Sequence, residues 1–448
     1  MEENILKKND IYIIDVVDNG MDLEGICKVD GIPVFVPGAI KGEKIKVKIL
    51  KVNKSLAFGK IEEILEKSED RVTPLCDGYK RCGGCQGLHI DYDRTLEMKK
   101  ANCINTLKKQ NIDYDFTSSE IYGMGNPYNY RNKVQYPIRQ NNGEISLGMF
   151  AKRSHDLVNV TNCCIQDAKI NEIAVYSYEL LKEFAFIGYD EEQDAGDIKN
   201  ILVRRGKHTD NVMVVFVVNG NNVAKDKRWN GIVEKLTAKY KNILSVMLNI
   251  NDEKTNVILS GKNICIYGQE YITDYIGDYV FKIGVNSFFQ VNTVQAEVLY
   301  NLLKEKLNLN GNENLLDLYS GVGSIGIFLS DKTQKVYGIE IVEEAVKMAK
   351  DNISLNRLEN VEYIVGDATE EIAKLEKQGT KFDVVVVDPP RKGLDIEGIE
   401  TLIKIGAKKI GYVSCNVATL ARDLKALQDV YDIQSIDFVD MFPFTRTC

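Results

Sequence analysis

No apolar run in the 448 residues approaches the roughly 20 needed to cross a bilayer, and the opening MEENILKKND lacks the apolar core of a signal peptide. The chain therefore reads as soluble and cytosolic, with no membrane partner. Cysteine is too dilute for a secreted disulfide scaffold. Ten in a chain of this size direct attention to where they cluster, because in a reducing compartment clustered thiols bind metal or do chemistry. An excess of positive charge is missing too: the formal net charge is -8, which weighs against nucleic-acid binding, since phosphate affinity scales with Lys and Arg contacts. The middle of the chain has no low-complexity tract and no internal repeat.

What is present points to several domains. A chain with 44% hydrophobic residues buries more than one core, because single cores stop growing at roughly 250 to 300 residues. Charge is uneven along it: Lys41 to Lys60 holds seven lysines and one glutamate, and the acidic IEEILEKSED follows. A basic patch for RNA and a solvated Lys-rich strand face both fit this stretch.

Residues 1–66 alternate short apolar runs with Gly and Asp punctuation, the pattern of a small barrel of the oligonucleotide-binding type. The segment GIPVFVPGAIKGEKIKVKI resembles the TRAM domain, an RNA-binding barrel. Residues 67–285 form a mixed α/β central portion, with a cysteine cluster, a helix expected over Tyr92 to Gln110, and strand-like runs such as NILVRRG and NVMVVFVVNG. From residue 286 to 448 strands alternate with helices, which implies a parallel, doubly wound Rossmann-like sheet with its ligand outside the carboxyl ends of the strands.

In this last region DLYSGVGSIGIFL places Gly321, Gly323 and Gly326 in the first strand-to-helix turn, where small residues let backbone amides approach a ligand. A glycine-rich turn alone also suits a dinucleotide. Glu340 closes the second strand, where an acid accepts hydrogen bonds from ribose hydroxyls; Asp367 follows the third strand and Asp388 the fourth, in VDPPR. An acid after each of these strands is the arrangement of S-adenosylmethionine methyltransferases, and a dinucleotide reductase has no need of DPP. Cys415, in VSCN at the end of the fifth strand, lies on the same rim. C5 of uracil is too weak a nucleophile to take a methyl group directly. A thiolate adding to C6 turns the ring into an enolate that can attack through C5, so this chemistry asks for a thiol that ionises and for a base out of its stack.

FFQVN, DLYSGVGSIGIFL, GIE, VDPPRKG and YVSCN occur in one order, and together they resemble the RNA uracil-5-methyltransferase family. The resemblance implies that Gln290, Tyr319, Glu340 and Asp388 contact S-adenosylmethionine and that Cys415 is the nucleophile. Arg391 then faces a substrate phosphate or pairs with a local acid. Cys76, Cys82 and Cys85 form C-x5-C-x2-C, a spacing that leaves zinc and an iron-sulfur cluster balanced, with Cys163 or Cys164 as fourth ligand. The ribosomal-RNA branch of the family carries a 4Fe-4S cluster on this pattern, which implies Cys163. Cys27, Cys103, Cys265 and Cys448 read as ordinary thiols.

The resemblance thus implies a 23S ribosomal RNA (uracil-C5)-methyltransferase acting as a monomer. The family's chains continue beyond FP-x-T through a His-Val-Glu segment whose glutamate is the presumed base for the C5 proton. This sequence reads MFPFTRTC at its end, and the expectation is a truncated sheet and slow release from RNA. Two competing readings are a methyltransferase acting on an exocyclic nitrogen, which needs no thiol, and a non-catalytic RNA-binding protein.

Overall fold

The computed structural model of the protein describes residues 6–141 and 143–447; Cys448 lies outside them. The chain divides into two compact units, Met1–Pro127 with Ile436–Cys448, and Tyr128–Ser435. The boundary expected between residues 285 and 286 falls inside the second unit.

The first unit opens with a closed barrel of strands β1 (Ile11–Asn19), β2 (Gly25–Val29), β3 (Ile32–Val36), β4 (Lys44–Val52) and β5 (Ala57–Glu66), ordered β1-β2-β3-β5-β4. Period-two alternation closes it: Ile45, Val47 and Ile49 are fully buried, while Lys44, Lys46 and Lys48 between them face outward. Cys27 lies in the same core, where burial pushes its thiol up to about 12; it acts as a small apolar residue. The lysine face is mixed in sign on one side, with Lys46 opposite Glu63 and Lys44 opposite Glu66 across β4 and β5. On the other side Lys46 and Lys48 stand opposite the exposed Ile13 and Ile11 of β1.

Beyond the cysteine loop, helix α1 (Tyr92–Lys109) begins at Asp91, whose carboxylate accepts the amides of Asp93 and Arg94. Its Lys99 is 3% exposed, and an unpaired buried ammonium would be costly. The C-terminal segment answers it: Asp440 Oδ1 at 2.6 Å, Phe442 O at 3.1 Å and Thr447 O at 2.9 Å accept from Lys99 Nζ. The FP-x-T stretch is thereby fastened to α1, within the first unit.

The second unit is layered. A six-stranded sheet is built from β6 (Lys133–Asn141), β7 (Glu144–Leu147), β8 (Ile198–Arg205), β9 (Val212–Val218), β10 (Ile243–Ile250) and β11 (Asn263–Gly268), ordered β11-β10-β9-β8-β6-β7. One face packs on helices α2 (Ala168–Glu183) and α3 (Arg228–Lys239) through residues such as Val203, Val214, Phe216, Ile173 and Trp229. The alternate residues Leu202, Met213, Val215 and Met247 belong to a second core. That core also takes in the hairpin β12 (Tyr271–Ile276) and β13 (Tyr279–Gly284) and one face of the C-terminal sheet.

The C-terminal sheet has five parallel strands, β14 (Asn314–Leu318), β15 (Lys335–Glu340), β16 (Val361–Val365), β17 (Val384–Val387) and β18 (Lys409–Tyr412), ordered β16-β15-β14-β17-β18. Helix α4 (Thr293–Leu307) precedes it, α5 (Ser324–Leu329), α6 (Glu343–Leu355), α7 (Ala368–Lys377) and α8 (Ile396–Ile405) join its strands, and α9 (Val417–Leu427) follows the last. Both faces are covered, so β17 is four consecutive buried valines, each stabilising the fold by roughly 1.5 to 2 kcal/mol through removal from water. Strand order reverses at β14, and the crevice this opens at the carboxyl ends is where such sheets hold ligands.

Candidate active site

The cleft at that switch point follows from the β14 turn. Tyr319, directly after the strand, adopts φ +59, a left-handed conformation unusual for a bulky residue. The chain then folds over Gly321, at φ +55 with open space where a Cβ would stand. Its amide donates to Glu340 Oε2 at 3.1 Å, and Val342 N donates to Glu340 Oε1 at 2.9 Å. Glu340, the last residue of β15, is thus fixed by backbone on both oxygens. Tyr319, Glu340, Ile341, Asp367, Thr369, Leu394 and Gly398 line a cavity of about 180 Å³. Asp367 caps α7 by accepting the amides of Thr369 and Glu370, so one of its oxygens is already engaged.

Gly323 does something other than the sequence suggests. Its amide already donates to Ser320 O, and a Cβ there would stand 2.9 Å from the Tyr363 ring. Gly326 and Gly338 would clash with the same side chain, at 2.5 and 2.0 Å. These three glycines make room for Tyr363, which is 1% exposed, and only Gly321 of the turn faces open space. Tyr363 Oη donates to Asp317 Oδ2 at 2.9 Å, which also accepts Gly326 N at 3.0 Å. Burial pushes the Asp317 carboxyl up to about 7, and the nearby Asp388 and Glu340 charges add to the rise.

Asp388 follows β17 immediately and accepts no hydrogen bond among the described residues; burial pushes its carboxyl up to about 6. Gln290 reaches the same place from the other side. Its side chain hydrogen-bonds the buried Tyr300 hydroxyl, which lies 2.9 Å from Ser324 Oγ at the start of α5, and the charges of Asp388 and Asp317 both bear on Tyr300. Acids therefore gather around the turn, an arrangement that favours a cationic ligand and repels a pyrophosphate.

Cys415 stands exposed three residues after β18. The loop holding it is tied to the loop that follows Asp388: Asn416 Nδ2 donates to Arg391 O at 3.0 Å and Thr419 Oγ1 to the same oxygen at 3.3 Å. Farther along α9, the fully buried Asp423 accepts Leu394 N at 2.8 Å and Tyr412 Oη at 2.6 Å. One helix so fixes the thiol loop and the DPPRKG loop together. The Arg391 side chain is exposed and pairs with no acid among the described residues.

With this geometry in place, the tRNA (uracil-5-)-methyltransferase family matches residues 91–448 and the TRAM domain residues 8–61. The chain belongs to the tRNA (uracil-5-)-methyltransferase family. An uncharacterized RNA methyltransferase of Clostridium acetobutylicum is 44% identical over 98% of this chain and 96% of its own. One of Oceanobacillus iheyensis is 42% identical over 98% and 95%. Among solved structures, the Pyrococcus abyssi tRNA (uracil-54, C5)-methyltransferase in complex with S-adenosyl-L-homocysteine matches with a TM-score of 0.77 and 28% identity, covering 98% of both chains.

In this RNA methyltransferase the cysteine loop belongs to the first unit and Cys163 to the second. Cys76 and Cys85 are buried. Cys76 receives the amides of Gly78 and Tyr79, and Cys82 Sγ receives Gly84 N at 3.4 Å. Amides aimed at sulfur suit thiolates. Burial and the neighbouring Cys82 nevertheless raise the Cys76 thiol, and among the described residues no three His, Cys, Asp or Glu side chains converge to hold a metal. The donor chemistry suits a cluster and the convergence does not. No helix among the described residues is long and apolar enough to cross a membrane.

Asp317, Tyr363, Tyr300 and Asp423 are functional neighbours that sequence reasoning missed. Asp317 alone had a signal, as an acid near the carboxyl end of the first, otherwise apolar strand.

Proposed function

We propose that this RNA methyltransferase transfers a methyl group from S-adenosylmethionine to C5 of a uridine, with Cys415 as nucleophile. The observation that carries the reading is the exposed thiol of Cys415 on a loop hydrogen-bonded to the loop of Asp388, beside an acid-lined cleft. Glu340 and Asp367 suit the hydroxyls and amine of an adenosine, Tyr319 and Ile341 its apolar face. Gly321, Gln290 and Asp388 suit the charged end, where a carboxylate favours a sulfonium. S-adenosylmethionine, when bound, supplies the electrophilic methyl.

Cys415 Sγ bonds to C6, and the C5=C6 electron pair passes into an enolate. C5 of that enolate takes the methyl carbon as the sulfonium bond breaks. Loss of the C5 proton to a base then restores the double bond and expels the thiolate. The chain's part is to hold Cys415 at a fixed offset from Asp388 through α9, because misplacing a reacting atom by 1 Å costs roughly 100-fold in rate.

The RNA is read as 23S ribosomal RNA, bound in part by the barrel; the spacing of Cys76, Cys82 and Cys85 supports a 4Fe-4S cluster on these thiols. Transfer RNA is the second reading. The Pyrococcus abyssi enzyme favours it, since its match covers the barrel as well.

The experiment is methyl transfer from labelled cofactor to ribosomal and transfer RNA, followed by mapping of 5-methyluridine. Cys415→Ala is expected to bind S-adenosylhomocysteine normally and to transfer no methyl. Label on an exocyclic nitrogen, or activity surviving in Cys415→Ala, would overturn the mechanism.

A further inference from the structure

Three cations meet on one face of the central sheet. Lys133, the first residue of β6, is the cross-strand partner of Arg204 on β8, so their side chains leave the sheet on the same side. This is the side of Leu202, toward the C-terminal sheet. Arg131, two residues before Lys133, adds a third charge: burial and the proximity of Arg204 and Arg131 pull the Lys133 ammonium down to about 8.

No acid answers them. Among the described residues the side chains of Arg131 and Lys133 make no hydrogen bond or ion pair. Arg204 is 6% exposed, and its guanidinium reaches only the carbonyl oxygens of Val285 and Ser287, at 3.1 and 2.9 Å. The Nε atoms of both Arg131 and Arg204 are buried without an acceptor. The neighbouring Arg205, on the opposite face of β8, is answered by acids: it meets Asp167 and Asp210 at 2.5 and 2.6 Å. Like charges held together away from water are costly unless an anion joins them, and guanidinium groups present their donors in a fork that matches an oxyanion.

The place is set by Asn132, between the two cations. Its Nδ2 donates to Gln290 O at 3.0 Å and Thr293 Oγ1 at 2.9 Å, and its amide to Val291 O at 2.8 Å. The cations therefore border the segment that presents Gln290 to the cleft and carries Phe288, which is 73% exposed.

We propose that Arg131, Lys133 and Arg204 form an oxyanion site that takes a backbone phosphate of the RNA next to the uridine being methylated. The proposal rests on the uridine-methylation reading above. The carboxylate of the cofactor's methionine has the same chemistry, and the test separates the two sources.

Lys133 is partly buried at the start of β6 and belongs to no apolar core, so it can be changed without opening one. With the RNA that the unaltered chain methylates, Lys133→Gln and Arg131→Gln are each expected to raise the KM for RNA about tenfold and to reduce the slope of log affinity against log salt by about 1. Lys133→Arg is expected to restore most of both, and calorimetry should find S-adenosylhomocysteine affinity unchanged in all three. Unaltered RNA KM and salt slope in both Gln variants would overturn the site. Weakened S-adenosylhomocysteine binding with intact RNA binding would assign the oxyanion to the cofactor and overturn the RNA proposal. Failure of the unaltered chain to methylate any uridine would instead refute the functional reading, while the salt slope of RNA binding by the same variants would still decide the phosphate site.

Discussion

Replacing Tyr363 by Phe removes one hydroxyl from beneath the cofactor turn and leaves the ring, so no cavity opens and Gly323, Gly326 and Gly338 keep their packing partner. Two hydrogen bonds disappear. The one to Gly323 O matters little, because that oxygen also accepts Ile327 N. The one to Asp317 is the loss that counts, and its worth depends on charge. The Asp317 carboxyl is pushed up to about 7 in the folded state, above its ordinary value near 3.9. Folding therefore takes up a proton, and stability from this group is fully present below pH 4 and lost as pH rises through 7. At pH 5 Asp317 is neutral in both proteins, and the variant is expected to lose about 1 kcal/mol. At pH 8 the hydroxyl of the unaltered protein serves a carboxylate, and the loss grows to about 2 kcal/mol. For a unit of about 300 residues each kcal/mol moves the Tm by roughly 1.5 °C. Thermal unfolding of the two proteins at pH 5 and pH 8 reads the difference directly, and cofactor affinity should weaken with it as the turn loosens. A deficit that is absent, or the same at both pH values, refutes the Asp317 assignment.

Asp388 titrates near pH 6 in the folded chain, and a cation beside it binds best when it is ionised. S-adenosylmethionine affinity measured by calorimetry should thus fall as pH drops from 7 to 5, and Asp388→Asn should be weaker and flat over that range; an Asn variant with the same pH profile removes Asp388 from the charged end of the site. For the cysteine loop, chain purified without air should carry iron and acid-labile sulfide, and Cys82→Ser should lose both. A metal-free chain that methylates RNA at full rate, or zinc in place of iron, excludes the cluster.

The rim of the C-terminal sheet was legible because each of its features is local. A strand that ends in an acid before a helix cap places that acid at the carboxyl edge whatever else the chain does, which is why Glu340, Asp367, Asp388 and Cys415 could be put on one rim from spacing alone. The glycines of the β14 turn were legible as a turn and misread in part, because the ring that needs Gly323, Gly326 and Gly338 comes from a strand 40 residues away from Gly323. The uneven charge of the barrel was visible too, but only cross-strand pairing with β5 and β1 shows which lysines face acids and which face exposed isoleucines.

By itself the sequence determined the alternation of strand and helix, the barrel, and the order of motifs that marks an RNA methyltransferase. Period-two and strand-to-helix patterns are written in neighbouring residues. Tertiary structure alone decided which of the acids sits buried and protonatable, that α9 fastens Cys415 to the DPPRKG loop, that the last residues return to α1, and that Arg131, Lys133 and Arg204 gather without a counter-charge. Burial and electrostatic pairing depend on residues far apart in the chain meeting in space, and no local pattern encodes that meeting.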